Sequence, residues 1–119
     1  MEARELGRFG EKEAVKYLRR HGYRIVETNY SCRVGEVDVI ARKGRYLAFV
    51  EVKLRKSAEF ASAREFVTRS KQQRILLTAA LYLAQNETDL QPRFDVIEIY
   101  APQGEKGKLT IHHIEDAFS

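Results

Sequence analysis

Cysteine is nearly absent from these 119 residues: Cys32 stands alone. A single thiol excludes an internal disulfide and any thiolate-based zinc cluster, and Cys32 reads as a small hydrophobe in a reducing compartment. Also missing is any run of about 18 apolar residues, roughly what a bilayer-spanning helix needs. The opening segment MEARELGRFGEKEAVKYLRR is charged throughout, without the apolar centre of a secretory signal. A cytoplasmic protein with no membrane partner is expected. No repeat, low-complexity tract or linker interrupts the chain, and with 44% hydrophobic and 32% charged residues its length suits one domain, residues 1–119, around one core.

What the chain does have is unevenly placed positive charge. Net charge is +4, yet Lys53 to Arg74 alone holds seven basic residues against two acids, Glu59 and Glu65. A concentrated basic segment suits a polyanion, because each Lys or Arg set on a phosphate releases a condensed counterion. A merely solvated face would have the same composition.

Apolar residues at three- and four-residue spacing (Ala3, Leu6, Gly10, Ala14, Tyr17, Leu18) predict a helix over Glu2–His21, with Gly22 just beyond its end. A strand follows over Tyr23–Asn29. EVDVIA (Glu36–Ala41) and YLAFVEVKL (Tyr46–Leu54) flank Lys43-Gly44-Arg45 and read as a hairpin. Residues 58–70 fit a loop or short helix. Lys71–Gln85 is a helix with an apolar stripe of Ile75, Leu76, Ala79, Tyr82 and Leu83, and Phe94–Tyr100 is a strand, so the strand-helix-strand link implies a parallel pair with a right-handed crossover. Pro102–Gly107 is a turn, and Leu109–Ile114 a last strand at the sheet's edge. The order α-β-β-β-α-β-β describes an α/β (α+β) fold with a mixed sheet flanked by helices.

Charges interrupt the two hairpin strands. Alternation places Phe49, Glu51 and Lys53 on one face and Glu36, Asp38 and Ile40 on one face of the preceding strand, with Val37, Val39 and Ala41 opposite. A two-residue loop at Gly44-Arg45 sets Asp38 against Glu51, whereas a loop at Lys43-Gly44 sets it against Phe49; both leave Asp38, Glu51 and Lys53 on one face. Two neighbouring carboxylates in a half-buried sheet repel and lose hydration unless a cation lies between them. A hard divalent ion such as Mg²⁺, which takes oxygen ligands and keeps several waters, resolves that cost, and Lys53 beside it would meet charge developing on a phosphate. A surface ion-pair ladder fits the same spacing. Favouring the metal are Glu11, beside the buried stripe of the first helix, Gly35, suited to a close backbone approach, and the start of the basic run at Lys53.

Asp38 followed by Glu51-Val52-Lys53 resembles the Asp…Glu-x-Lys signature of restriction-endonuclease-like nucleases. More specific is the string GRFGEKEAVKYLRRHGYRIVETNY, GEVDVIA, LAFVEVKLR, SKQQRI and RFDVIEI, which is similar to the small bacterial YraN family, related in fold to archaeal Holliday-junction resolvases. The likeness runs from about Gly7 to Ile99. It implies a restriction-endonuclease-like core, Mg²⁺ or Mn²⁺ held by Asp38 and Glu51 with Glu11 completing the acidic set, Lys53 as the catalytic lysine, and Arg55, Lys71 and Gln72 near the nucleic acid. The expected activity is a metal-dependent endonuclease on DNA, ahead of RNA, with branched or structured DNA in view. Symmetric cutting of a junction would call for a homodimer. A different class stays open: a nucleic-acid- or partner-binding module with this fold and little turnover.

Other polar residues read as structural. His112 and His113 fall on opposite faces of the last strand and suit edge polarity; Arg93 and Asp95 would form a pair that pins the sheet. Tyr23, Tyr30, Tyr46, Phe49 and Phe60 suit core packing, although aromatic rings can also stack bases.

Overall fold

The computed structural model describes residues 3–55 and 67–119; most of the segment 58–70, Phe60 included, lies outside them. Helix α1 spans Ala3–Arg20 and buries Ala14 and Leu18. Its end is a Schellman motif: Gly22 takes φ +86°, the amide of Tyr23 donates to the carbonyl of Leu18 (2.9 Å) and that of Gly22 to Arg19 (3.2 Å). Strands β1 (Arg24–Cys32), β2 (Gly35–Lys43) and β3 (Tyr46–Arg55) follow, then α2 (Arg69–Gln85), β4 (Gln91–Tyr100), a 3₁₀ turn (Gly104–Lys106) and β5 (Thr110–Ile114). Thr68 caps α2 by accepting from the Lys71 amide at 3.2 Å. Among the described residues, no helix is long and apolar enough to cross a membrane.

The five strands form one mixed sheet in the order β1-β2-β3-β4-β5, antiparallel except for the parallel pair β3–β4 that α2 connects. The helices cover opposite faces. Ala14 and Leu18 of α1 pack with Val39, Ala41, Ala48, Val50, Ile97 and Ile99. Ile75, Ala79 and Tyr82 of α2 pack with Ile40, Leu47, Phe49 and Val96. Each such large apolar side chain removed from water stabilises the fold by about 1.5–3 kcal/mol.

The hairpin turn is Gly44-Arg45, since Lys43 pairs with Tyr46. Gly44 has φ +57° and Arg45 does not share the positive φ, which fits a type II′ turn with glycine first.

One expectation about faces is corrected. Val37 packs on the α2 side while Val39 packs on the α1 side, although a regular strand would put residues two apart on one face. The break falls at Asp38. In β1 the pairs Thr28↔Val39 and Tyr30↔Val37 put Asn29 opposite it, and Asn29 has φ +53°. Both strands therefore turn over at the same level of the sheet.

Gly35 lies against α2 rather than against the acids. A Cβ there would sit 2.8 Å from Oγ1 of Thr78 and 3.4 Å from the Arg74 carbonyl, so the β1–β2 turn and the helix are held in close contact. Gly35→Ala is expected to cost about 1–3 kcal/mol through overpacking. Thr78→Ala removes the clashing oxygen, so the two losses should fall short of additivity in denaturant unfolding; full additivity would disprove the contact.

A second group of polar residues is buried on the α1 side. Asp95, fully buried, accepts from Arg93 (Nε 2.9 Å, Nη2 2.7 Å), from His113 Nε2 (2.8 Å) and from the Asp116 amide (3.0 Å). Arg93 also donates to the Tyr23 hydroxyl at 2.6 Å. The Arg93–Asp95 pair pins the sheet as expected, but His113 is not edge polarity: its side chain is 5% exposed and ties β5 to β4.

Candidate active site

The β2–β3 ladder runs from Lys43↔Tyr46 to Val39↔Val50. One residue further on, where β2 turns over, the Asp38 carboxylate accepts from the Val52 amide at 2.8 Å. A side chain thus takes the place of a ladder partner, and the strands open into a fork. Continuing the register sets Glu51 across from Asp38, on the face shared with Phe49 and Lys53. Glu51 is buried, 5% exposed. Its Oε1 lies 2.5 Å from Nζ of Lys71, in the first turn of α2, and 3.7 Å from Nζ of Lys53.

These groups perturb one another strongly. Burial, and then the Glu51 charge, push the Asp38 carboxyl up to about 7, with Glu11 adding to the rise and the Val52 amide and Lys71 opposing it. Near neutral pH this acid is therefore close to half protonated. Burial and the adjoining Lys71 lower Lys53 from its ordinary value, towards an amine that can exchange a proton. For Lys71, burial alone would act downward, but its contact with Glu51 wins and holds it charged. Perturbation of this kind in a cleft is more frequent at functional sites than elsewhere.

Glu11, in α1, influences Asp38 but stands apart. No group of three His, Cys, Asp or Glu side chains close enough to hold a metal ion occurs among the described residues. The Asp38–Glu51 pair offers oxygen donors only, which suits a hard cation with waters and phosphate oxygens filling the remaining positions. Lys71 meanwhile supplies Glu51 with positive charge. Gln72 is occupied locally, its side-chain amide donating to the Val67 carbonyl at 2.9 Å. Arg55 ends β3, where its charge acts on Glu98.

Glu98 did not emerge from sequence reasoning. It is 3% exposed, directly beside Lys53 in the parallel register and beside His112 across β4–β5, and burial raises its carboxyl. The only signal was an acid in the apolar strand FDVIEIY. The Lys71–Glu51 contact was equally hidden, because a crossover helix carries no register that spacing can reveal.

Residues 10–99 match the family described as "Uncharacterised protein family UPF0102". The chain belongs to this family. It is 44% identical over 116 residues to a UPF0102 protein of Hahella chejuensis, covering 97% of this chain and 90% of the relative. A UPF0102 protein of Flavobacterium psychrophilum is 41% identical over 117 residues, 98% and 96% of the two chains, and one of Caldicellulosiruptor bescii 42% identical over 120 residues, 99% and 100%. The UPF0102 match includes Glu11, Asp38, Glu51, Lys53 and Lys71 within its span.

Proposed function

We propose that the chain is a metal-dependent endonuclease that hydrolyses phosphodiester bonds in DNA, with the opened β2–β3 fork as its active site and a restriction-endonuclease-like core as its scaffold. The observation that carries the reading is the juxtaposition of half-buried Asp38 and buried Glu51 with two half-buried lysines, one lowered and one held charged. A surface ion-pair ladder would leave these acids hydrated, whereas here burial disfavours the Asp38 charge.

Asp38 and Glu51 would hold Mg²⁺ or Mn²⁺, with Glu11 acting on the site from α1. Bound there, the ion supplies Lewis acidity and a water of lowered pKa. Lys53 faces the same centre and stabilises negative charge that develops on the phosphate, or passes a proton to or from the attacking water. Lys71, in the first turn of α2 beside Glu51, would contact phosphate at the start of that helix. Arg55 and Gln72 flank this path.

The test is incubation of the purified protein with linear, flapped and four-way DNA and matched RNA, with Mg²⁺, Mn²⁺ or EDTA. Cleavage of at least one DNA with either metal and none in EDTA is expected. Binding without cleavage under every condition would overturn the nuclease reading in favour of a nucleic-acid-binding module. A preference for four-way DNA would call for a homodimer, which sedimentation of the active protein checks.

A further inference from the structure

Next to the fork, the β1–β2 turn and the first two turns of α2 enclose an open concavity of about 530 Å³, within the range of ligand-binding clefts. Arg33 enters it from the turn, and Lys71 and Arg74 from the helix, against a single acid, Glu36; Ile75 forms part of its floor. Lys71 is common to this groove and to the acid pair, so the two are continuous.

Three observations indicate that the groove is built for an anion. Its walls are held together independently of any occupant, since Gly35 abuts Thr78 and Cys32 Sγ lies 3.9 Å from Thr78 Oγ1. Arg33 and Arg74 are exposed, and neither has an ion-pair partner within 4 Å among the described residues. The first turn of α2 holds Arg69 and Lys71 and no acid of its own, the reverse of what the positive end of a helix favours; Glu51 meets only Lys71 there, and an anion in the groove offsets the remaining positive charge.

We infer that this groove binds the sugar–phosphate backbone of the strand held at the acid pair, with Arg33 and Arg74 each meeting a phosphate on one side of the bond to be cut. This rests on the nuclease reading for the neighbouring site and assigns a place for the rest of the strand. Guanidinium groups on phosphates position a strand without reading its bases, so recognition here is independent of sequence.

Binding is measured in EDTA, where no turnover occurs, on the full chain with a labelled DNA duplex over a range of salt. Arg33→Gln and Arg74→Gln should each weaken affinity about tenfold, as loss of a charged hydrogen bond does. The slope of log K against log[salt] should shrink by about 0.9 per lost contact. Both side chains are exposed, and Arg33→Lys with Arg74→Lys should restore most of the slope, which a damaged fold would not. Cys32, whose thiol the Val34 amide holds below its usual value, reports occupancy: DNA should slow its alkylation by iodoacetamide.

Unchanged affinity and slope in both Gln variants, with Cys32 unprotected, would overturn the groove even if wild type cleaves DNA. Protection by inorganic phosphate or a mononucleotide, but not by DNA, would overturn it in favour of a small-phosphate site. Slope losses and Cys32 protection in a protein that cleaves nothing would leave the groove standing and remove the nuclease. A wild type that binds no DNA would overturn both.

Discussion

Asp38→Asn should lower the rate of DNA cleavage by at least about a hundredfold while leaving the protein folded and still bound to DNA. The asparagine carbonyl can accept from the Val52 amide as the carboxylate does, so the fork survives, and one fewer negative charge then faces the phosphates. Linkage gives a control for folding. The native carboxyl lies above its unfolded value, so its contribution to stability is present at low pH and declines as pH rises from about 4 through 7. Above pH 7, without metal, Asp38→Asn should therefore melt no lower than wild type. Lys53→Ala should also lose on the order of a hundredfold or more, and the double variant should be no worse than the weaker single, because both act on one step. Single-turnover cleavage is the measurement. Asp38→Asn cutting as fast as wild type would end the proposal.

The second large effect is on stability. Asp95→Asn should lower the unfolding free energy at pH 7 by about 3–5 kcal/mol, as breaking a buried ion pair does, because Arg93 would keep only the exposed Glu115 carboxylate at 3.4 Å. That corresponds to a fall in Tm of about 10 °C or more in a domain of this size. Burial alone would raise the Asp95 carboxyl, but the hydrogen bonds from His113, Arg93 and the Asp116 amide outweigh it and hold the group below the ordinary carboxylate range. Its stabilisation is therefore present above about pH 4, the unfolded value, and disappears as pH falls through the lower native value. The gap between wild type and variant should accordingly narrow on acidification below about pH 4. Thermal melts by circular dichroism at pH 7 and pH 3 would decide; equal Tm values at pH 7 would show that the network is not stabilising.

Much of the architecture could be read from spacing because its determinants are local. Gly22 beyond α1, the stripe of α2 and the charged hairpin strands each repeat with the period of the element they form. The Gly44-Arg45 turn also limited which residues could face one another. What escaped depends on contacts between distant segments or on single backbone angles. Nothing in EVDVIA announces that Val37 and Val39 bury on opposite sides, an inversion accompanied by a positive φ at Asn29 in the neighbouring strand. Lys53 beside Glu98 follows from a parallel register that no tight turn sets. His113 looked like edge polarity because its partner, Asp95, lies 18 positions away and its inward turn is visible only once β5 is paired. Cys32 was expected as a small hydrophobe; it is half-buried and lines the groove.

The parallel β3–β4 pair also orders the assembly of the site in time. Loop-closure entropy favours contacts between residues near in sequence, and only a two-residue turn separates β2 from β3. Asp38, Glu51 and Lys53 can thus come together while the hairpin forms, with Asp38 already occupying the Val52 amide. Lys71 joins them only when α2 docks, and Glu98 only when the crossover closes and β4 zips alongside β3. During folding Asp38 consequently exists first in a more open, hydrated setting, where its carboxylate can remain ionised, and burial raises that carboxyl only as the later elements arrive.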